Sequence, residues 1–346
     1  MDRKHLKLLL LTLAAMLAAV SCRKDNNEDE RAYMSGSLTF DMPTYAVVGQ
    51  KISSYVTGIT TPSDVDYFWV SQDIDISESD TVYSQSVTFT LPDKPGEYSI
   101  TVYARAEEYY SSTRTVSIQV ITPDMNGVGG WQPGTSEIVD ERDGESYPTR
   151  VYGSLEWFTQ NLRFAGYVGN RLGRPYDDSE GIDRIFGRLY SWNDATGGTS
   201  GNGLGGGPQG ACPPGWSVPT LEDWEDFASA VGGQEYDFFD HWSGIGEAVS
   251  APITLNESAM WPYSPDNLHT DAAGWNGFPT GNSRDSYGEF ENISVYGMWW
   301  CSSEMDGGTV PYRYIYYNTD TFDVYYTDKD SYGVSVRCVR LATSID

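Results

Sequence analysis

The sequence predicts a mainly β protein in which an N-terminal β-sandwich precedes an α+β C-terminal domain. Residues 36–122 contain runs of alternating apolar and polar side chains, about ten residues apart and separated by turn residues, which is typical of a β-sandwich. The C-terminal part combines a helix-period segment at 221–231 with a tyrosine-rich alternating end at 312–326. That combination predicts a short helix followed by an antiparallel meander.

Four strands of the sandwich are predicted at 65–70, 86–91, 98–104 and 113–120, and its candidate core residues are Trp69, Phe89, Ile100 and Val102. The turn at 92–97 contains proline and glycine, which preset the backbone angles that a turn needs. With Trp69 taken as the buried tryptophan and 91–98 leading into the penultimate strand, this segment resembles immunoglobulin-like or PKD-like modules. Such modules usually act as spacers in surface proteins.

Two segments are rich in glycine. Residues 123–147 are also rich in charge and predict a linker, in which Trp131 is a candidate to dock on a neighbouring surface. Residues 197–210 have almost no apolar side chain and predict a mobile loop, because burial there does not oppose backbone entropy. No Gly-Lys-Ser/Thr follows the second segment, so it does not indicate a nucleotide site.

The C-terminal domain is expected to span 148–346. Its clearest helix is at 221–231, where Thr220 is the predicted N-cap and Asp223 the residue at position N3. In the meander, Tyr312, Tyr314 and Tyr316 are expected to face one side of a strand, and the residues between them the other.

Residues 1–21 have the features of a secretory signal. Arg3, Lys4 and Lys7 precede an uncharged apolar run at 8–20, whose 13 residues are too few to span ~30 Å of hydrocarbon as a helix. The following Ala19-Val20-Ser21-Cys22 resembles the lipobox of bacterial lipoproteins, with Ala19 where leucine is usual. This resemblance implies lipid on Cys22. The alternative is an ordinary secretory signal with an incidental cysteine.

Residues 22–35 are mostly polar and predict an acidic flexible tether. They resemble the acidic stretch that sends lipoproteins of Bacteroidetes-type bacteria to the outer face of the outer membrane. We therefore expect a lipid-anchored outer-membrane protein that faces the cell exterior. Its partner there is the membrane lipid, reached through the acylated N-terminus.

The net charge is −27, and removal of residues 1–21, with three basic residues and one acidic, leaves about −29. This charge argues against nucleic acid and against direct binding to an anionic lipid surface. No cofactor is predicted. The carboxylates are scattered, so the indication of Ca²⁺ is weak. The sequence has no Cys-x-x-Cys, and its three histidines do not cluster, which argues against zinc.

Six blocks in a fixed order carry a family resemblance. They are WFTQNL (157–162), GRLYSWNDA (187–195), CPPGWSVPTLEDW (212–224), GFPTGN (277–282), WWCSSE (299–304) and SYGVSVRCVR (331–340). Together they resemble the Fibrobacter succinogenes major paralogous domain, whose members are mostly exported surface proteins. The resemblance implies a fold similar to C-type lectins and to formylglycine-generating enzymes.

The activities of those two wider groups do not carry over. The calcium-site triplet of lectins, of Glu-Pro-Asn type, is absent, and the Trp-Asn-Asp at 192–194 precedes the Cys212 block instead of lying late in the fold. Cys301 and Cys338 are 37 residues apart and do not match the reactive pair of the enzymes. The family resemblance instead implies a Cys212–Cys338 disulfide, with Cys301 as a buried thiol.

The leading functional hypothesis is a non-catalytic surface protein whose C-terminal domain binds polysaccharide. Candidate ligand-binding residues are Trp242, Trp261, Tyr263 and Trp275, which lie in the least regular region. For any single one of them, packing in the core is the stronger interpretation. The alternative function is a structural or adhesive surface protein, such as a fimbria-associated one, with a surface protein as partner.

A hydrolase is the third hypothesis, since glycosidases need a carboxylate pair. Glu156, Asp223, Glu225 and Glu304 are examples of available acids, but 49 acidic residues make chance pairs certain. No motif of a nucleophile with its base stands out. The sequence therefore predicts that the chain is not an enzyme.

Overall fold

The computed structural model describes residues 31–76, 83–236 and 241–343. The predicted signal at 1–21, the lipidation residue Cys22 and the tether up to residue 30 lie outside these ranges. The described chain is mainly β with a few short helices, which confirms the predicted fold class. Within those ranges, no helix is long and apolar enough to cross a membrane.

The N-terminal part consists of two sheets that pack face to face. Its strands are β1 (Ser35–Phe40), β2 (Tyr45–Val47), β3 (Lys51–Thr61), β4 (Asp66–Val70), β5 (Ser86–Thr90), β6 (Gly96–Arg105) and β7 (Ser112–Ile121). One sheet has the order β1-β3-β5 and the other β2-β7-β6-β4. β2 runs parallel to β7, and the other pairs are antiparallel. Trp69, Phe89, Ile100 and Val102 are all buried in the core between the sheets.

The rest of the chain forms several smaller sheets. Its strands are β8 (Val128–Gly129), β9 (Ser136–Val139), β10 (Ser146–Tyr152), β11 (Leu155–Phe158), β12 (Gly166–Tyr167), β13 (Asn170–Arg171), β14 (Arg174–Pro175), β15 (Arg188–Leu189), β16 (Gln234–Tyr236), β17 (His241–Ser243), β18 (Thr254–Leu255), β19 (Ser258–Ala259), β20 (Asn282–Arg284), β21 (Phe290–Glu291), β22 (Tyr296–Trp300), β23 (Thr309–Tyr316), β24 (Thr321–Asp328), β25 (Tyr332–Gly333) and β26 (Val339–Leu341). Its helices are α1 (Asp183–Phe186), α2 (Trp192–Thr196), α3 (Leu221–Ala230) and α4 (Gly246–Val249), with 3-10 turns at Met125–Gly127, Tyr176–Asp178 and Glu180–Ile182. The two largest sheets have the orders β26-β11-β10-β9 and β16-β17-β24-β23-β22.

Helix α3 begins where its capping residues predict. The Thr220 hydroxyl accepts from the backbone N–H of Asp223, and the Asp223 carboxylate accepts from the backbone N–H of Thr220. Trp224, Phe227 and Ala228 lie on the buried side of the helix. The capping box and the apolar spacing therefore act together to fix this helix against the core.

The predicted disulfide between Cys212 and Cys338 is confirmed, with an S–S distance of 2.08 Å. It joins the loop before α3 to the residue that precedes β26. Cys301 lies outside this bond and is buried.

The structure corrects the predicted linker at 123–147. In this segment, β8 pairs with β18 and β9 pairs with β10, so much of it belongs to the C-terminal sheets. Its glycines mark close packing: a Cβ on Gly129 would lie 2.2 Å from Thr254 Oγ1, and one on Gly130 would lie 2.3 Å from Pro252 O. The glycine content therefore reflects backbone proximity, which composition alone does not distinguish from flexibility.

The glycine-rich segment at 197–210, predicted as a mobile loop, is also packed against the domain. The backbone N–H of Gly205 donates to Asp223 Oδ1 (2.6 Å), and that of Gly201 donates to Ser302 O (3.0 Å). A Cβ on Gly207 would lie 1.9 Å from Val218 O. The backbone of this segment is thus held by hydrogen bonds and close packing, although it has few apolar side chains to bury.

The two parts of the molecule share a buried boundary. The Tyr45 ring packs edge-on against Phe186, with ring centroids 5.4 Å apart. Asp177 Oδ2 accepts from the backbone N–H groups of Thr44 (2.5 Å) and Tyr45 (3.2 Å). Asn256 Nδ2 donates to Val120 O (2.9 Å). The sandwich is therefore held directly against the C-terminal part.

Candidate functional site

The structure places three of the four predicted ligand-binding residues in the core. Trp242, Trp261 and Trp275 are 9%, 4% and 0% exposed. Trp275 packs on Phe227 with ring centroids 4.3 Å apart, and Trp261 stacks on His269 at 4.8 Å. Their rings are covered by protein, so these three do not offer a face to a ligand, which corrects the predicted site. Tyr263, two residues after Trp261, is 85% exposed.

The loop that carries Trp275 is fixed by a buried carboxylate. Asp271 Oδ1 accepts from the backbone N–H groups of Trp275 (2.8 Å) and Asn276 (3.0 Å). Burial raises the pKa of Asp271 to about 7. Arg337 is also fully buried, and its guanidinium lies 4.5 Å from the Trp275 ring centroid. This irregular region therefore has the internal contacts of a core loop.

A groove of about 530 Å³ lies elsewhere, between the chain that follows the sandwich and the C-terminal domain. Its volume is within the usual range for small-ligand sites. We call it the Trp131 groove. It is lined by Asp124, Met125, Asn126, Trp131, Pro133, Gly134, Thr135, Ser136, Glu137, Ser146, Pro148, Gln160, Arg163 and Arg184.

Trp131 is the aromatic residue of the groove, and the residue after it holds it in place. The Gln132 backbone N–H donates to Asn276 Oδ1 (2.8 Å), and Asn276 Nδ2 donates to Gln132 O (2.7 Å). Gln132 Nε2 also donates to Asp271 O (2.7 Å). Trp131 itself is half-buried. These three hydrogen bonds attach the Trp131 segment to the same loop that Asp271 fixes.

The polar wall of the groove is built around Arg163. Its Nη1 donates to Gln160 Oε1 (2.9 Å), and its Nη2 donates to Ser146 O (2.6 Å) and Glu145 Oε2 (3.1 Å). The guanidinium also lies 4.4 Å from the Tyr147 ring centroid. With its donors and its flat face all in contact, Arg163 has little freedom to rearrange.

Two groups beside Arg163 still have hydrogen-bonding capacity. Gln160 is 7% exposed and accepts through its Oε1, whereas its Nε2 has no hydrogen bond to any described residue. Arg184 donates to Glu145 Oε1 (3.0 Å), and its side chain is 60% exposed. An amide NH₂ and a guanidinium thus line the groove as donors for a polar ligand.

A smaller cleft of about 240 Å³ shares Arg163 and Arg184 with the groove. It is otherwise lined mainly by acidic side chains, among them Glu180 and Asp183. Both of these carboxylates bind Arg188, whose Nη1 lies 2.7 Å from Glu180 and 2.6 Å from Asp183. We therefore interpret the charges of this cleft as internal ion pairs that support α1.

Three of the candidate catalytic acids have structural roles. Glu156 accepts from Thr149 Oγ1 (2.7 Å) and Arg340 Nε (2.8 Å). Asp223 caps α3, and Glu304 pairs with Lys329 at 2.9 Å. Among the residues the structure describes, no group of three or more His, Cys, Asp or Glu side chains could hold a metal ion.

Ser250 Oγ and His269 Nδ1 are 3.0 Å apart, a pairing that the sequence did not predict. The two residues are 0% and 6% exposed, so this serine is not accessible to a substrate. Burial lowers the pKa of His269 to about 4. The pair is therefore a neutral internal hydrogen bond.

The groove was not predicted from the sequence. Its central aromatic, Trp131, lies in the segment that composition marked as a linker, and Gln160, Arg163 and Arg184 come from three other parts of the chain. The one signal available was Trp131 itself, a large aromatic side chain among glycines and prolines. A tryptophan there is not needed in a flexible linker, so its presence indicated a contact surface.

Comparisons with known proteins give the following similarities. The family model described as the Fibrobacter succinogenes major domain matches residues 151–340. A solved structure of the Yersinia pseudotuberculosis adhesin InvE is similar over 88% of this chain and 70% of that chain, at 14% sequence identity and a TM-score of 0.25. None of the curated proteins matches this chain.

Proposed function

Because the chain belongs to the Fibrobacter succinogenes major domain family, we propose that it is a non-catalytic surface protein that binds glycan in the Trp131 groove. The observation that carries this proposal is the pairing of the half-buried Trp131 with a fixed polar wall. Sugar rings present a C–H face that packs on aromatic rings, and their hydroxyl groups need directed donors and acceptors. Gln160 and Arg184 supply such donors, and Arg163 holds Gln160 in position.

Charge favours a neutral polysaccharide over an acidic one. The groove is lined by Asp124 and Glu137, and the carboxylate of Glu145 lies between Arg163 and Arg184. The arginine charges are thus balanced locally, and the whole chain carries −27. An anionic polymer approaching this surface would be repelled at long range.

We further propose that lipid on Cys22 anchors the protein to the outer membrane, with the groove facing the cell exterior. The sandwich, an immunoglobulin-like or PKD-like spacer in this account, would set the distance of the groove from the membrane. Its contacts through Tyr45 and Asp177 would also set its orientation. Loss of labelled palmitate from a Cys22→Ala variant tests the anchor, and equal labelling of both proteins would contradict it.

The alternative proposal is a structural or adhesive surface protein with a protein partner, as in fimbria-associated proteins. The observation that favours it is a partly exposed surface of tyrosines on the sheet that contains β23. We do not propose a hydrolase, because Glu156, Asp223 and Glu304 are engaged in internal contacts.

A glycan array of neutral and acidic plant, host and microbial polysaccharides tests the proposed function. We expect wild-type protein to bind a set of neutral glycans, and a Trp131→Ala variant to lose that set. The matched control is Tyr263→Ala, which removes an aromatic ring that is 85% exposed outside the groove. Absence of any hit, or hits that Trp131→Ala retains, would contradict the proposal.

A further inference from the structure

The sheet that contains β22, β23 and β24 carries a partly exposed surface of tyrosines. In its register Tyr296 pairs with Tyr316, and Tyr312 pairs with Tyr325. Directly paired residues project to the same side of a sheet, as do alternate residues along a strand. Tyr296, Tyr314, Tyr316 and Tyr325 therefore share one side, and we call these four the tyrosine face.

The opposite side of the same strands is core. Trp299, Ile315, Phe322 and Val324 are buried there. On the side of the tyrosine face, Met298, Trp300 and Tyr312 are also buried, so this side is partly core and partly surface. Tyr325 is 55% exposed, and the other three residues of the tyrosine face are partly exposed.

Tyr296 contacts both Tyr314 and Tyr316, and Tyr325 is joined to them through the buried Tyr312. Tyr296 stacks on Tyr316 with centroids 4.7 Å apart and meets Tyr314 edge-on at 5.8 Å. Tyr312, beneath them, lies 6.2 Å from Tyr314 and 5.7 Å from Tyr325. Rings held by neighbouring rings lose little freedom when a partner binds, which is typical of protein recognition surfaces.

Elsewhere in this protein, aromatic rings are covered by arginine. Arg142 lies 3.7 Å from the Phe164 centroid, and Arg340 lies 4.3 Å from that of Trp216. Across residues 31–76, 83–236 and 241–343, no lysine or arginine lies over the four rings of the tyrosine face. Tyr296 and Tyr316 stack on each other, and no cation of the described chain competes for the ring faces that other rings leave uncovered.

A carboxylate lies beside the tyrosine face, and the chain as a whole is acidic. Asp323 lies on the same side, paired with Tyr314, and accepts hydrogen bonds from Thr321 Oγ1 at 2.8 Å. His241 Nδ1 lies 2.9 Å from the same carboxylate. The chain as a whole carries −27, which attracts cationic partners at long range.

We propose that the tyrosine face binds a protein partner through arginine or lysine side chains, which dock over the rings of Tyr296, Tyr314, Tyr316 and Tyr325. The surface lies apart from the Trp131 groove and uses none of its residues. The interaction is therefore independent of the proposed glycan binding.

The test uses a twelve-residue synthetic peptide of alternating arginine and glycine, titrated into the exported part of the chain by fluorescence anisotropy. A peptide with citrulline in place of arginine has nearly the same shape without the charge. We expect the arginine peptide to bind and the citrulline peptide not to bind. A Tyr316→Ala/Tyr325→Ala variant should bind the arginine peptide at least fivefold more weakly, because two cation–π contacts are lost.

Two controls separate ring contacts from general attraction to an acidic protein. Tyr263→Ala removes an exposed tyrosine elsewhere, and Tyr316→Phe/Tyr325→Phe keeps the rings, so both should bind as wild type does. None of these variants changes the net charge. Equal affinity of wild type and Tyr316→Ala/Tyr325→Ala would overturn the proposal, as would equal binding of the citrulline peptide. Failure of glycan binding would leave this result unaffected.

Discussion

Replacement of Arg337 by methionine tests how the core of the C-terminal domain is held together. Arg337 is fully buried, and its guanidinium donates to four acceptors on two other segments of the chain, so that three segments meet at this side chain. They are Asn161 Oδ1 (2.7 Å), Phe158 O (3.2 Å), Trp275 O (2.9 Å) and Asn276 O (2.6 Å). Methionine fills much of the volume but donates nothing. Each buried carbonyl left without a donor costs about 1–3 kcal/mol.

A second effect acts in the opposite direction. Burial lowers the pKa of Arg337 to about 9, so the charged guanidinium is itself disfavoured inside the protein. Removing it offsets part of the loss. Removing one member of a buried charged network generally costs about 3–5 kcal/mol, and we expect Arg337→Met to lower the free energy of unfolding by about 3 kcal/mol.

The assay is urea unfolding followed by tryptophan fluorescence, with the disulfide intact. The control is Arg340→Met, three residues further on, because Arg340 is 38% exposed and pairs with Glu156. An exposed pair of that kind contributes about 1 kcal/mol or less. If Arg337→Met and Arg340→Met were equally stable, the buried hydrogen bonds of Arg337 would not be what joins the three segments.

Three further changes test separate parts of the account. Burial raises the pKa of Asp271 to about 7 from its ordinary 3.8, so stability falls as the pH rises through that window. Between pH 5 and 7.5 the free energy of unfolding of Asp271→Asn should therefore fall by about 2 kcal/mol less than that of wild type. The same pH dependence of unfolding in both proteins would contradict this. The Cys212→Ser/Cys338→Ser variant lacks the disulfide, which closes a loop of 126 residues, and its free energy of unfolding in urea should be lower by roughly 3–5 kcal/mol. An unchanged free energy of unfolding would show that the bond does not stabilise the fold. Gly207→Ala places a Cβ 1.9 Å from Val218 O and should cost about 1–3 kcal/mol by thermal unfolding, whereas Gly127→Ala, with 3.4 Å to its nearest neighbour, should be tolerated.

Local signals in the sequence predicted the elements that local physics determines. The capping box of Thr220 and Asp223 fixes the start of α3, and alternation places Tyr312, Tyr314 and Tyr316 on one side of β23. The family resemblance predicted the Cys212–Cys338 bond. Each of these predictions depends on a short sequence pattern or on the family resemblance of the six sequence blocks.

The parts that were missed depend on contacts between distant segments. Whether Trp275 lies in a core or a groove is decided by Phe227, Arg337 and the turn at Asp271, which the local sequence around Trp275 does not encode. The segments around Gly129 and Gly207 were predicted to be flexible, because composition does not show which distant parts of the chain pack against these glycines. A groove made of Trp131, Gln160 and Arg184 exists only once the chain has folded.

The most direct test of the proposed function is isothermal titration of a neutral oligosaccharide, taken from the strongest array hit, into wild type, Trp131→Ala and Tyr263→Ala. Loss of one well-packed aromatic contact should weaken binding by about tenfold or more, while Tyr263→Ala should match wild type. Folding of both variants is checked by their unfolding midpoints. Equal affinities for wild type and a folded Trp131→Ala would contradict the assignment of the groove as the glycan site.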